Sequence, residues 1–342
     1  MKNIRWPLFL VKIFNYEYWT WWAFYLPMLP YWAFLSLKTR SLTFFTAANP
    51  CMDWGGFFGE SKSDILRQIP AQFLPKTLFF KKNVPSAAVV QAMRQAGFDF
   101  PLVVKPDVGE RGTKVEKVAN SRELTRQIAV IAADFIIQEF VREPLEFGVL
   151  YARLPGERRG RVTSVTRKEF LSVTGDGTST IEALMEKNTR ARFQLDAMHQ
   201  RLGTAMQDVL PNGQTRLLEP IGNHCRGTKF INDNALINPA LNEVFDQIAR
   251  PIEGFHFGRF DVKVRSVEDL YAGRTIRVLE LNGASSEPGH IYDPNFTLAR
   301  AYRDLARHWA ILAEICQRQK RLGVQPVPFV TLLKVTWAHF GF

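Results

Sequence analysis

Twelve residues near the C-terminus, VLELNGASSEPG (278–289), limit the fold most tightly. Val278 to Asn282 has the apolar character of a buried strand, yet an acid and an amide sit inside it. Side chains two apart on a strand share a face, so Glu280 and Asn282 project into one space. Neither is stable in an apolar interior without a polar partner, so this strand is expected to line a site. GRFDVKV (258–264) has the matching pattern: Arg259, Asp261 and Lys263 alternate with Phe260 and Val262. Paired with 275–282, it would bring Asp261 together with Glu280 and Asn282. Two carboxylates and an amide oxygen are hard ligands suited to Mg²⁺, which fills its other positions with phosphate and water. The competing arrangement is a salt-bridge ladder of Arg259 or Lys263 with Glu280.

The rest of the composition narrows the partners. The chain has 342 residues, 46% hydrophobic and 23% charged, enough for two or three subdomains. Cys51, Cys225 and Cys316 lie far apart, which suits a reducing compartment without a disulfide frame. The six histidines show no ligand spacing, which speaks against zinc. A net charge of +11 favours phosphates, acidic substrates or an anionic leaflet. Nucleic acid is not expected, because the basic residues are scattered and no recognition helix is legible.

The first forty residues differ from the remainder. Tyr18–Leu37 is twenty residues without a formal charge, the length of a membrane span. Its many Trp and Tyr favour the headgroup level, and Pro27 and Pro30 would break one straight helix. Basic residues flank both ends. The expectation is a re-entrant or in-plane helical hairpin bent at Pro-Met-Leu-Pro, attached to the cytoplasmic face. The other arrangement is an aromatic helix pair covering the soluble part. The apolar tail 327–342 is expected to pack on the N-terminal segment.

From about Gly59 helices and strands alternate. GESKSDILRQIP (59–70) and SAAVVQAMRQAG (86–97) read as helices, the first capped by Ser61 or Ser63. FPLVVKP (100–106) and GTKVEKV (112–118) read as strands around a glycine-containing loop. Asn120 to Glu123 is a capping box, and Ser179 with Glu182 has capping-box spacing. DFIIQEFV (134–141), 145–154 and 160–173 read as strands, and a long helix runs from about Phe296 to Gln319. The class is α+β: two helix-backed antiparallel sheets facing one another. Lys105 leaves an apolar strand just before a loop with Gly109 and Gly112, a possible phosphate clamp.

The ordered set Ser61-Lys62, FPLVVKP, IIQEFV with LEFGV, GRFDVKV and ELNGASSEPG resembles the ATP-grasp superfamily over about residues 60–310. The resemblance is to D-alanine–D-alanine ligases and, less closely, to cyanophycin synthetase. It implies an ATP-grasp fold with lobes at 62–141 and 142–320. Residues 1–45 would be the membrane-associating segment, 46–61 a linker or pre-lobe remnant, and 321–342 the tail. It implies ATP and two Mg²⁺ ions, or Mn²⁺, as cofactors. Lys62 and Lys105 would contact phosphates. Gly109, Gly112 and Thr113 would belong to a lid, and Gln138, Glu139, Phe140 and Val141 to the adenine hinge. Glu146 would meet the ribose, and Asp261, Glu280 and Asn282 the metals. Arg259, Lys168 and Ser285 would act on the reacting groups. Asn223, His224, Arg226 and Gly227 would form a substrate-side loop.

The implied reaction is ATP-dependent joining of a carboxylate to an amine through an acyl phosphate, at the membrane surface, with small or lipid-linked substrates. Phosphoryl transfer to a hydroxyl or sugar at the same nucleotide site is the alternative, and a nucleotide-responsive scaffold without turnover is a third reading. The sequence departs from the ligases in lacking a complete domain ahead of Lys62, which leaves the acid and amine unnamed.

Overall fold

The computed structural model describes residues 6–109 and 113–340. The chain opens with three short helices, α1 (Leu8–Phe14), α2 (Trp21–Tyr25) and α3 (Leu29–Thr39). The first lobe follows as α4 (Lys62–Leu66), β1 (Thr77–Phe80), α5 (Ser86–Gln95), β2 (Leu102–Pro106), β3 (Glu116–Val118), α6 (Ser121–Val130) and β4 (Phe135–Glu139). The second begins with β5 (Leu145–Ala152), β6 (Arg161–Glu169) and β7 (Ser172–Thr174). A small helical insert comes next: α7 (Ile181–Lys187), α8 (Thr189–Arg192) and α9 (Leu195–Leu202), closed by β8 (Thr215–Leu217). The lobe ends with β9 (Lys229–Asn232), α10 (Pro239–Ala249), β10 (Phe257–Val264), α11 (Val267–Tyr271), β11 (Arg277–Asn282) and α12 (Leu298–Arg321). The tail forms α13 (Phe329–Phe340).

Alternation within the strands creates two antiparallel sheets, each with an apolar back. In the four-stranded sheet, ordered β1-β4-β2-β3, Leu102, Val104, Val118 and Ile137 pack on Val89 and Met93 of α5 and Leu124 of α6. In the five-stranded sheet, ordered β11-β10-β5-β6-β9, Phe147, Val149, Phe260 and Val262 pack on Leu241, Phe245 and Ile248 of α10. The alternate residues of both sheets then look toward each other across the space between the lobes. The α+β architecture of two helix-backed antiparallel sheets is thus present as expected.

Local chemistry sets most boundaries. Ser61 caps α4, its hydroxyl accepting from Asp64 N–H, and Asn238 caps α10 with Pro239 in the first turn. Asn120 accepts from Glu123 N–H, while the Glu123 carboxylate reaches Ala119 N–H, one residue earlier than in the standard box. The α7 cap is Thr180 rather than Ser179. Asp176 has captured both the Ser179 amide and its hydroxyl, so the helix starts one residue later.

The expected hairpin at Pro27-Met28-Leu29-Pro30 is corrected. Tyr25, Leu26, Met28 and Leu29 all keep right-handed helical dihedrals, so one 3₁₀ turn (Leu26–Met28) joins α2 to α3 without doubling back. Both prolines stand in a first turn, where a missing N–H costs no helical bond. No helix among the described residues is long and apolar enough to cross a membrane. Phe24 and Met28 instead pack with Ile291, Phe296 and Leu305, and Tyr25 stacks on Trp309. The tail packs as expected, with Leu332 of α13 in the same cluster as Leu35 of α3.

Asn49 fastens this N-terminal part to the second sheet. Its amide oxygen accepts from His256 and Phe257 N–H, both at 2.9 Å, and its NH₂ donates to Gly55 O and Phe257 O at 2.9 and 2.8 Å. The side chain is wholly buried, so an isosteric apolar residue would strand several backbone groups. Asn49→Leu should lower the free energy of unfolding by about 3 kcal/mol in urea titrations; a loss under about 1 kcal/mol would contradict this anchoring role.

Candidate functional site

Pairing of β10 with β11 sets Asp261 opposite Glu280 and Arg259 opposite Asn282. Asp261, Glu280 and Asn282 therefore occupy adjacent positions on one sheet face, as the sequence pattern required. The register then slips: Val262 pairs with Val278, leaving Leu279 as an extra residue. This bulge frees the Leu279 carbonyl from the ladder. Lys105 of the other sheet donates to it at 3.0 Å and reaches Gln138 Oε1 at 3.3 Å. Burial draws the Lys105 ammonium down to about 8, against the pull of Glu280 and Asp261.

Lys62 arrives by a different route. The loop after β2 holds the start of α4 through Asp107, whose carboxylate accepts from Ser61 Oγ (2.7 Å) and Ser63 N (2.8 Å). Asp107 O also accepts from Lys62 N–H at 3.0 Å. Lys62 Nζ then donates to Gly109 O at 2.6 Å and lies 3.6 Å from Glu280 Oε1. Sequence reasoning missed Asp107; its position one residue past the strand end was the available signal.

Behind the oxygen triad runs a buried charge ladder. Arg259 Nε donates to Asp261 Oδ1 at 3.0 Å, and Lys168 Nζ lies 3.3 Å from Asp261 Oδ2 and 2.9 Å from Glu146 Oε1. Burial opposes ionisation of Asp261, yet Arg259 and Lys168 hold its carboxyl below the usual range. Gly222 lies directly on Glu146: a Cβ there would stand 2.1 Å from Glu146 Oε1. Glu146 is thus a covered counter-ion of Lys168. The expected alternative ladder with Glu280 does not form, because Arg259 turns to Asp261 and Lys263 Nζ donates to Val141 O at 3.1 Å. Lys263 also faces the Phe140 and Phe170 rings, each at 5.2 Å, and Lys117 stands 3.9 Å over Phe140. Lys263 thus ties β10 to the segment between β4 and β5, a contact the sequence reading did not assign to it.

The remaining expected residues divide. Gln138 is buried and donates to Thr77 Oγ1, so its side chain orients Lys105. Glu139 and Phe140 give their N–H groups to Lys76 O and Pro101 O. Ser285 is exposed and its N–H meets Gly56 O; Ser286 is the serine beside Arg259, accepting from Arg259 N–H at 3.1 Å and donating to Asn282 O at 2.8 Å. Thr113 is exposed, and Gly112 lies outside the described residues.

Donor chemistry suits a hard divalent cation. Asp261 keeps a lone pair on each oxygen after its two ion pairs. The buried Asn282 Nδ2 has no partner among the described residues; as an N–H donor it fits an acceptor such as a phosphate oxygen, and only the oxygen of that amide could meet a cation. Among the described residues no three His, Cys, Asp or Glu cluster as a ready-made metal site, so any ion there would complete its shell from a ligand or water.

No family model matches the sequence, and no curated protein matches it. The structure is similar to solved structures at low identity. A bifunctional glutathione synthetase from Pasteurella multocida shares 14% identity over 73% of this chain and 35% of that one, with a TM-score of 0.38. VanG D-Ala:D-Ser ligase from Enterococcus faecalis shares 14% over 79% and 64%, with a TM-score of 0.43. D-alanine–D-alanine ligase from Bacillus anthracis shares 13% over 77% and 67%, with a TM-score of 0.41. The chain thus spans about a third of the first structure's length. Likenesses of this size fix no residue-by-residue correspondence.

The ladder separates two substitutions. Asp261→Asn leaves the buried Lys168 and the partly buried Arg259 short of their partner and should cost about 3 kcal/mol of stability. Glu280→Gln, at a half-exposed position, should cost under about 1 kcal/mol. Equal losses in thermal or urea unfolding would show that Asp261 is not the ladder's keystone.

Proposed function

We propose that the chain is an ATP-grasp ligase that uses ATP to join a carboxylate to an amine, working at an anionic membrane surface. One observation carries the catalytic reading. Three oxygen-bearing side chains, Asp261, Glu280 and Asn282, sit at neighbouring positions of β10 and β11 and face Lys62 and Lys105 from the other lobe. Cations on one wall and hard oxygen ligands on the other suit a polyphosphate with its divalent ion.

Asp261, Glu280 and Asn282 would hold Mg²⁺, which when bound neutralises charge on phosphate oxygens. Lys62 and Lys105 screen the approach of a substrate carboxylate to the γ-phosphate, an encounter of two anions. Arg259, fixed by Asp261 and by Ser286 on its backbone, orients that carboxylate. The carboxylate oxygen bonds to phosphorus as the bond to ADP breaks. The amine nitrogen then bonds to the carbonyl carbon and phosphate leaves. Closing the lobes keeps water from the acyl phosphate. Lys105 already bonds across the gap to Leu279 O, a contact such closure would preserve.

Membrane attachment is supported by large apolar side chains that the N-terminal helices and the tail leave exposed. Trp21, Trp22, Phe34 and Leu37 are exposed at α2 and α3, and Phe329 and Trp337 at α13. Both helices root a leucine, Leu35 and Leu332, in one cluster. Lys38 in the last turn of α3 and Arg40 just after it, within a chain of net charge +11, match an anionic leaflet.

Three measurements test the proposal. Protein with Mg²⁺, ATP and a panel of carboxylates should yield a hydroxamate when hydroxylamine is added, whereas a stable phosphoester would mark a phosphotransferase. Glu280→Gln should reduce ADP release at least about 100-fold with the melting temperature preserved; undiminished release would refute the metal assignment. Full-length protein should sediment with vesicles containing anionic lipid, and changing Trp21, Trp22 and Trp337 to Ser should release it; unchanged sedimentation would remove the membrane surface from the proposal.

A further inference from the structure

Beyond the charge ladder, the loop after β11 carries one carboxyl that the reaction above leaves unused. Ser286 is tied to Arg259 N–H, which brings the next residue, Glu287, to the edge of the same sheet face. Glu287 Oε2 accepts from the Tyr292 hydroxyl at 2.9 Å. Among the described residues no Lys, Arg or His forms an ion pair with it, although burial pushes its carboxyl up to about 7. The surroundings are aromatic. The Tyr292 ring lies against His224 (5.6 Å between centroids) and Phe24 (5.7 Å), and His224 meets Phe230 edge-on at 5.2 Å. On the far side, His224 Nε2 stands 3.6 Å from Glu17 Oε2, whose charge is already matched by Arg190.

A half-buried carboxylate without a cation is relieved either by taking up a proton, the direction in which Glu287 is already pushed, or by an ion pair with a ligand. Its neighbours fit the same partner, since ring faces attract an ammonium. The polarity also reverses along this line. Lys62, Lys105, Lys168 and Arg259 favour an anionic group, and Glu287 favours a cationic one.

We propose that Glu287 and Tyr292 form a recognition site for the ammonium group of a primary-amine substrate, walled by His224 and by Phe24 of the N-terminal segment. The proposal rests on the ligase reading in taking that amine as the second substrate.

The test is calorimetric titration of the full chain at pH 8 with benzylammonium, and with benzyl alcohol as its neutral counterpart. Wild type should bind the ammonium at least 10-fold more tightly than the alcohol, and E287Q should lose at least 10-fold in ammonium affinity. Binding of a non-hydrolysable ATP analogue with Mg²⁺ should be the same in both proteins. Failure of wild type to bind benzylammonium, equal binding of the alcohol, or full affinity in E287Q would overturn the proposal. Should E287Q not fold, the comparison of the two probes on wild type decides alone. Loss of ATP-analogue binding in wild type would strike the nucleotide reading instead, and the ammonium result would stand apart from it.

Discussion

A β-sheet face dense with ionised side chains can be enclosed only if every charge finds an opposite. That constraint governs the face formed by β10, β11, β5 and β6. Asp261 satisfies two cations at once, the buried Lys168 and the partly buried Arg259, and Glu146 shares the first. Remove Asp261 and the face holds like charges in a poorly solvated space. Keep it, and Glu280 and Asn282 are left comparatively free at the next register positions. The division is between groups that hold the face together and groups that remain for a ligand.

The two lobes meet through this face by specific bonds, beside an apolar contact in which Ile65, Leu66, Ile69 and Ile136 join the core behind the second sheet. Lys105 reaches the carbonyl that the β-bulge releases at Leu279, Lys62 approaches Glu280, and Lys263 bonds to Val141 O between β4 and β5. Each is a charge-assisted contact to a flexible lysine. Phe140 lies between Lys117 and Lys263, in cation–π contact with both.

The N-terminal segment has two roles on its two sides. Inward, Tyr16 donates to Ile291 O and Phe296 O, Glu17 pairs with Arg190, and Phe24 touches Tyr292. Outward, it leaves tryptophans and aliphatics exposed. The segment is thus buried on one face against Arg190 and Tyr292 and apolar on the other.

Alternation alone made the oxygen triad legible: Asp261, Glu280 and Asn282 could share a face only if their strands paired, and period two leaves one choice of face. The helix starts at Ser61, Asn120 and Asn238 were equally local, because a cap needs only residues within one turn. What sequence could not decide was who neutralises whom. The capture of Asp261 by Arg259 and Lys168, the bulge at Leu279, the covering of Glu146 by Gly222 and the exchange of Ser285 for Ser286 all depend on contacts between residues distant in the chain. The N-terminal segment shows the same division. Its composition marked an aromatic, proline-interrupted helical segment, but which of its rings pack on the protein, as Phe24 and Tyr25 do on Tyr292 and Trp309, depends on residues distant in the chain. Periodicity and capping are properties of a few adjacent residues, whereas charge pairing and burial are properties of the assembled molecule.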